Sequence, residues 1–89
     1  MNNELSEIIT RIVNVKIQGQ MFFYKDKIQI YAKTEKEKID EIEKILKEQG
    51  YKECIRIKEE NVTTKIYKKG EKVISIIEKE KSTEINVYY

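Results

Sequence analysis

An α+β domain is the fold this sequence predicts, with two helices on one face of an antiparallel sheet of about five to six strands. Three observations lead there. Two stretches, residues 5–13 and 39–46, carry apolar side chains at helical spacing. Most of the remainder alternates apolar with polar residues, apart from 20–25 and 72–78, which are apolar on both faces. In the second half, turn signals recur about every ten residues, the spacing of consecutive antiparallel strands. The order reads α-β-β-β-α-β-β-β-β over a single domain, residues 1–89.

Leu5, Ile8, Ile9, Ile12 and Val13 form the stripe of the first helix. Asn2 or Asn3 is positioned to cap it, with Glu4 and Glu7 near the positive end of its dipole. Val13, Val15 and Ile17 then alternate with polar residues, a short first strand over 13–18. Residues 20–33 form a hairpin turning at Lys25-Asp26-Lys27. Thr34 and Glu37 have the spacing of a capping box, and Ile39, Ile42, Ile45 and Leu46 give the second helix its apolar stripe. Gly50 is its left-handed stop. Four strands follow over 51–58, 62–68, 72–78 and 83–89. The third of them is apolar at Val73, Ile74, Ile76 and Ile77, so it belongs inside the sheet.

Composition excludes several chemistries. The chain has no His, hence no imidazole base or ligand, and a single Cys, hence no internal disulfide or cysteine zinc cluster. Gly19, Gly50 and Gly70 stand apart, so there is no glycine-rich phosphate loop. No apolar run nears the roughly 18 residues that span a bilayer. Met1-Asn2-Asn3-Glu4 has neither the basic start nor the apolar stretch of a secretory signal, which leads us to expect a cytoplasmic protein. Lys, Ile and Glu supply 46 of the 89 residues, a bias that AT-rich codons or a hot habitat would each produce.

Few groups are placed for catalysis. A Cys54 thiolate would have only Lys52 or Arg56 to lower its pKa, so an incidental thiol is the simpler reading. Glu37, Asp40, Glu41 and Glu48 could offer oxygens to Mg²⁺, but Lys36, Lys38, Lys44 and Lys47 between them describe a solvated, ion-paired helix face. Neither catalytic residues, nor a metal site, nor a cofactor are expected.

The candidate site is a sheet face. If Ile55, Ile57, Val62, Ile66, Ile85 and Val87 point at the helices, period two sends Arg56, Lys58, Lys65, Tyr67 and Tyr88 to the other side, joined by Tyr31. Residues 35–48 hold six acids and four lysines, while the chain carries +2, so the expected polarity is an acidic helical side and a basic sheet side. Tyrosines among cations suit a protein interface, or single-stranded RNA or DNA with bases stacked on the rings. A plain solvated sheet, with Tyr there for strand propensity and Lys to blunt edges, has the same composition.

The leading expectation is a non-catalytic protein-binding inhibitor with Arg56, Lys65, Tyr67, Tyr88, Lys58 and Tyr31 as binding residues. In kind, the chain resembles the small inhibitors that phages and mobile elements use against bacterial defence, anti-CRISPR proteins among them. That likeness lies in its brevity and the lack of a catalytic signature, assigns no residue, and implies a nucleic-acid-handling protein as partner. The alternatives are a single-stranded nucleic-acid module and a small-ligand protein that sequesters a nucleotide. No membrane association is expected, and the strand over 83–89, if at an edge, would allow a homodimer by strand addition.

Overall fold

The computed structural model describes residues 3–89, without the side chain of Asn3, so a cap from Asn2 or Asn3 lies outside the described residues. Its elements are α1 (Asn3–Asn14), β1 (Gly19–Phe23), β2 (Lys27–Lys33), α2 (Lys36–Glu48), β3 (Lys52–Lys58), β4 (Val62–Lys69), β5 (Lys72–Lys79) and β6 (Ser82–Tyr88). The strands form one antiparallel sheet in the order β1-β2-β6-β5-β4-β3, with both helices on one face. The expected α+β class is therefore observed.

The short connections set the register. Gly70, with φ 61°, and Glu71 join the pair Lys69↔Lys72. Glycine at the first central position suits a two-residue hairpin turn, because φ is positive there. That loop places Tyr67 opposite Ile74 and Lys65 opposite Ile76. Across the sheet the helix-facing rows read Lys65–Ile76–Ile85–Ile30–Met21 and Tyr67–Ile74–Val87–Ile28–Phe23. Ile8 and Ile12 of α1 and Ile39, Ile42, Ile45 and Leu46 of α2 close over these rows, and each is buried.

α2 ends as expected. The Tyr51 amide donates to the Leu46 carbonyl and the Gly50 amide to that of Lys47, a paired closure that needs Gly50 at φ 95°. Its start differs. Glu35 is the capping residue and makes no side-chain cap, and Thr34 instead hydrogen-bonds the Lys79 carbonyl at 2.7 Å and the Thr83 hydroxyl at 2.8 Å. The capping box does not form, because Thr34 is held by the β5–β6 corner.

Two strand expectations are corrected. No strand forms over 13–18: Val13 and Asn14 end α1, the Val15 and Lys16 amides close its last turn, and Lys16 is left-handed at φ 62°. Val15 and Ile17 drop into the core margin from this loop, while Val13 is half exposed. The C-terminal strand is not an edge. β6 lies between β2 and β5, so strand addition there is blocked, and β1 and β3 form the sheet edges.

Candidate interaction surface

The face of the sheet turned away from the helices is built from two cross-strand rows. One reads Ile55–Ile66–Ser75–Asn86–Gln29–Phe22, the other Ile57–Thr64–Ile77–Glu84–Tyr31–Gln20. Isoleucines gather on β3, β4 and β5, and aromatics on β1, β2 and β6, where Tyr88 lies beside Lys27. Phe22 is 41% exposed, Tyr31 46%, Ile55 45%, Ile57 51% and Tyr88 38%, well beyond what a packed strand leaves in water.

Between the apolar flanks runs a polar seam. The Gln29 amide donates to Asn86 Oδ1 at 3.2 Å, and Asn86 Nδ2 donates to Ser75 Oγ at 3.1 Å and to Glu84 Oε2 at 2.9 Å. Its neighbours bury Asn86, and these bonds satisfy its polar atoms. At the ends of the strands the register puts Lys27, Lys52 and Lys68 on one side and Lys33 and Lys79 on the other. Five lysines thus stand against one acid, Glu84. The Lys27 ammonium lies 5.5 Å from the Tyr24 ring centroid and 5.7 Å from that of Tyr88, within cation–π range.

Of the six binding residues expected on this surface, Tyr31 and Tyr88 are there, and the other four are not. Ile55, Ile57, Val62 and Ile66 point to the open face, not to the helices, and Arg56, Lys58, Lys65 and Tyr67 lie on the helix side. The inversion has a local cause. β3 is the sheet edge and is exposed throughout, and on β4 the space beneath the margin of α2 takes the long polar side chains of Lys65 and Tyr67.

There Lys65 and Tyr67 meet Glu43 of α2. Lys65 Nζ lies 2.9 Å from Glu43 Oε2, and the Tyr67 hydroxyl donates a short hydrogen bond to Glu43 Oε1. Burial first, and then the bond to Glu43, push the Tyr67 phenol well above its ordinary value, so it is a donor and not a base. Beside it the Arg56 guanidinium, 2.7 Å from Glu53, holds that carboxyl below the usual range. All three of Arg56, Lys65 and Tyr67 are therefore brought together, but as a paired network, with Lys65 and Tyr67 beneath a helix. Lys58 is exposed at the far end of β3.

The turn at Lys69-Gly70 is legible in the sequence and pairs β4 with β5, but β5 is apolar on both faces, so this pairing does not tell which face of β4 the helices cover. A bulge between Glu53 and Ile55 adds a register shift that strict alternation cannot read.

Other sites are less developed. Among the described residues, no three His, Cys, Asp or Glu side chains cluster to hold a metal, and Cys54 is an exposed thiol. A cleft of about 650 Å³ lined by Leu5, Tyr51, Tyr88 and Tyr89 opens between α1 and the β4–β5 turn, but its two lysines, Lys69 and Lys72, both bind Glu4. No helix among the described residues is long and apolar enough to cross a membrane.

The molecule is thus a small α+β domain with one sheet face roofed by helices and the other bare. No family model, curated protein or solved structure matches the chain.

Proposed function

We propose that this protein is a non-catalytic binding module that docks a partner protein on the open face of its sheet. One observation carries the reading: Phe22, Tyr31, Ile55, Ile57 and Tyr88 are exposed together on the face that the helices leave bare. Apolar and aromatic surface gathered on two flanks of one bare face is costly in water and marks contact sites. Six strands about 4.8 Å apart and about 23 Å long give a face of roughly 600 Å² or more, near the ~800 Å² per partner of a specific interface. Five lysines at its ends select a partner surface that is acidic at the rim and apolar where it meets the two flanks, and set encounter rate more than affinity.

Occupying that surface is the action we infer, in keeping with the inhibitors of bacterial defence that the chain resembles in kind. A nucleic-acid-handling protein in the cytoplasm is the partner class this implies. Docking would then be on an acidic part of that protein, since its nucleic-acid site is itself basic.

A second reading has its own support. Phe22, Tyr31 and Tyr88 stand on the adjacent strands β1, β2 and β6, beside Lys27 and Lys33, and bases stack on such rings for about 1–3 kcal/mol each. The isoleucine half of the face favours protein over nucleic acid.

Affinity capture from the native host tests the choice, with the wild type compared with Ile57→Glu and with Arg56→Ala. A protein retained by the wild type and by Arg56→Ala, and lost with Ile57→Glu, is the expected result. A captured set that is unchanged by Ile57→Glu and by Tyr31→Ala overturns it. Tight binding of a single-stranded oligonucleotide at low salt, falling steeply as salt rises, would transfer the face to nucleic acid.

A further inference from the structure

We propose that β1 is a self-complementary edge through which two copies of this chain pair, antiparallel, about a two-fold axis at Met21. The inference is independent of the docking face, because it rests on backbone groups at the margin of the sheet. The Tyr24 amide bonds the Lys27 carbonyl at 2.8 Å and the Lys33 amide bonds that of Gln18 at 2.8 Å. In an antiparallel ladder hydrogen-bonded pairs alternate with open ones. Gln20↔Tyr31 and Phe22↔Gln29 are then the bonded pairs, and Gly19, Met21 and Phe23 aim their amides and carbonyls outward.

The two edges of the sheet differ in their protection. β3 carries Lys52, Glu53, Arg56 and Lys58 and is kinked by its bulge, both devices that deter pairing with another chain. β1, Gly19-Gln20-Met21-Phe22-Phe23, has no charge, no proline and an unbroken register of five pairs. An edge of this kind templates a further strand.

Residue by residue, the free edge of β1 fits its own copy. With the axis at Met21, the outward groups of Met21 meet those of Met21 in the second copy, and Phe23 falls opposite Gly19. Phe23 is 71% exposed in the single chain. Across the axis its ring covers the bare backbone of a glycine, a pairing known to rescue glycine at strand edges. On the other face Phe22 falls opposite Gln20. No like charges meet along the strand. The product is one continuous sheet with both open faces on the same side, which doubles the docking surface.

Sedimentation velocity over a range of concentrations tests this. The wild type should sediment as a dimer, with the mass halved in Met21→Pro. Proline at 21 removes an outward amide and no bond of the β1–β2 ladder, so the pairing and the circular dichroism spectrum are kept, at some loss of Met21 packing on the core margin. Phe23→Lys, which keeps every backbone group, should also give monomer, whereas Ile57→Glu should stay dimeric. In a Cys54→Ser background, Gln20→Cys together with Phe22→Cys should form an intermolecular disulfide on mild oxidation, because the two positions fall in an open pair across the axis, where Cα atoms about 4.5 Å apart bring the side chains within reach of a bridge. A wild type that remains monomeric at millimolar concentration, a dimer that persists in both Met21→Pro and Phe23→Lys, or a dimer in which that bridge does not form, each overturns the proposal.

Discussion

The Lys65 ammonium lies 2.9 Å from the Glu43 carboxylate, and the two side chains, 8% and 9% exposed, share a pocket beneath α2. Removing one partner strands the other in a dry site, which costs about 3–5 kcal/mol. Lys65→Met should therefore lower the unfolding free energy by about that amount. Replacing the whole network with apolar residues (Glu43→Met, Lys65→Met and Tyr67→Phe together) should recover most of it. Urea unfolding of the single and triple variants measures both.

Acid should loosen α1 from the sheet. Glu4 receives short hydrogen bonds from Lys69 first and Lys72 second, which lower its pKa to about 2. A carboxyl depressed in the fold contributes stability that is complete above its unfolded value and is lost as pH falls towards the folded one. Here that window runs from about pH 4.5 down to about 2. Glu4→Gln should flatten the decline in stability over that window, read by thermal unfolding at a series of pH values.

Ile57 and Ile76 separate the two faces of the sheet. Ile76 is fully buried, so Ile76→Ala should cost about 2–5 kcal/mol, whereas Ile57→Ala at a half-exposed site should change stability by about 0.5 kcal/mol or less. Equal losses at the two positions in chemical denaturation would contradict the assigned register.

Gly50 closes α2 at φ 95°. An L-residue there pays roughly 1–2 kcal/mol, so Gly50→Ala should destabilise by about that much and Gly50→Asn by less. The added Cβ meets only the flexible end of Lys69, at 3.2 Å, so backbone strain and not crowding sets the loss. Paired thermal melts of the two variants test the ranking.

Much of this fold can be read from the chain because the local rules agree with one another. The stripe of Ile39, Ile42, Ile45 and Leu46 and the stop at Gly50 mark α2, and Lys25-Asp26 and Lys69-Gly70 mark hairpins that the structure contains. Reading failed where a tertiary contact outweighed a local pattern. Thr34 has the spacing of a cap yet serves the β5–β6 corner. Ile55, Ile57, Val62 and Ile66 look like core because they are apolar and alternate, yet a shift of one residue exchanges the two faces. Tyr67 and Lys65 took their place under α2 because Glu43 offers them a partner, and nothing within β4 announces a residue 22 positions away. The candidate surface moved accordingly, from the expected cations to Phe22, Ile57 and their neighbours, while the basic polarity of that face was legible in the charge balance.

The central place of β6 has a consequence for how the chain assembles. β2 finds its inner neighbour only when residues 82–88 arrive, through pairs such as Lys27↔Tyr88 and Lys33↔Ser82. Contacts that bridge roughly fifty to sixty residues form slowly, since the intervening loop must close first. On the ribosome, the β1–β2 hairpin therefore waits with both its margins unpaired while α2 and the β3–β5 meander emerge, and the hydrophobic core seals only when the last strand slides between them. Translation delivers the keystone after the other five strands, and a ribosome stalled before residue 82 would hold two separate pieces of sheet with no strand to join them.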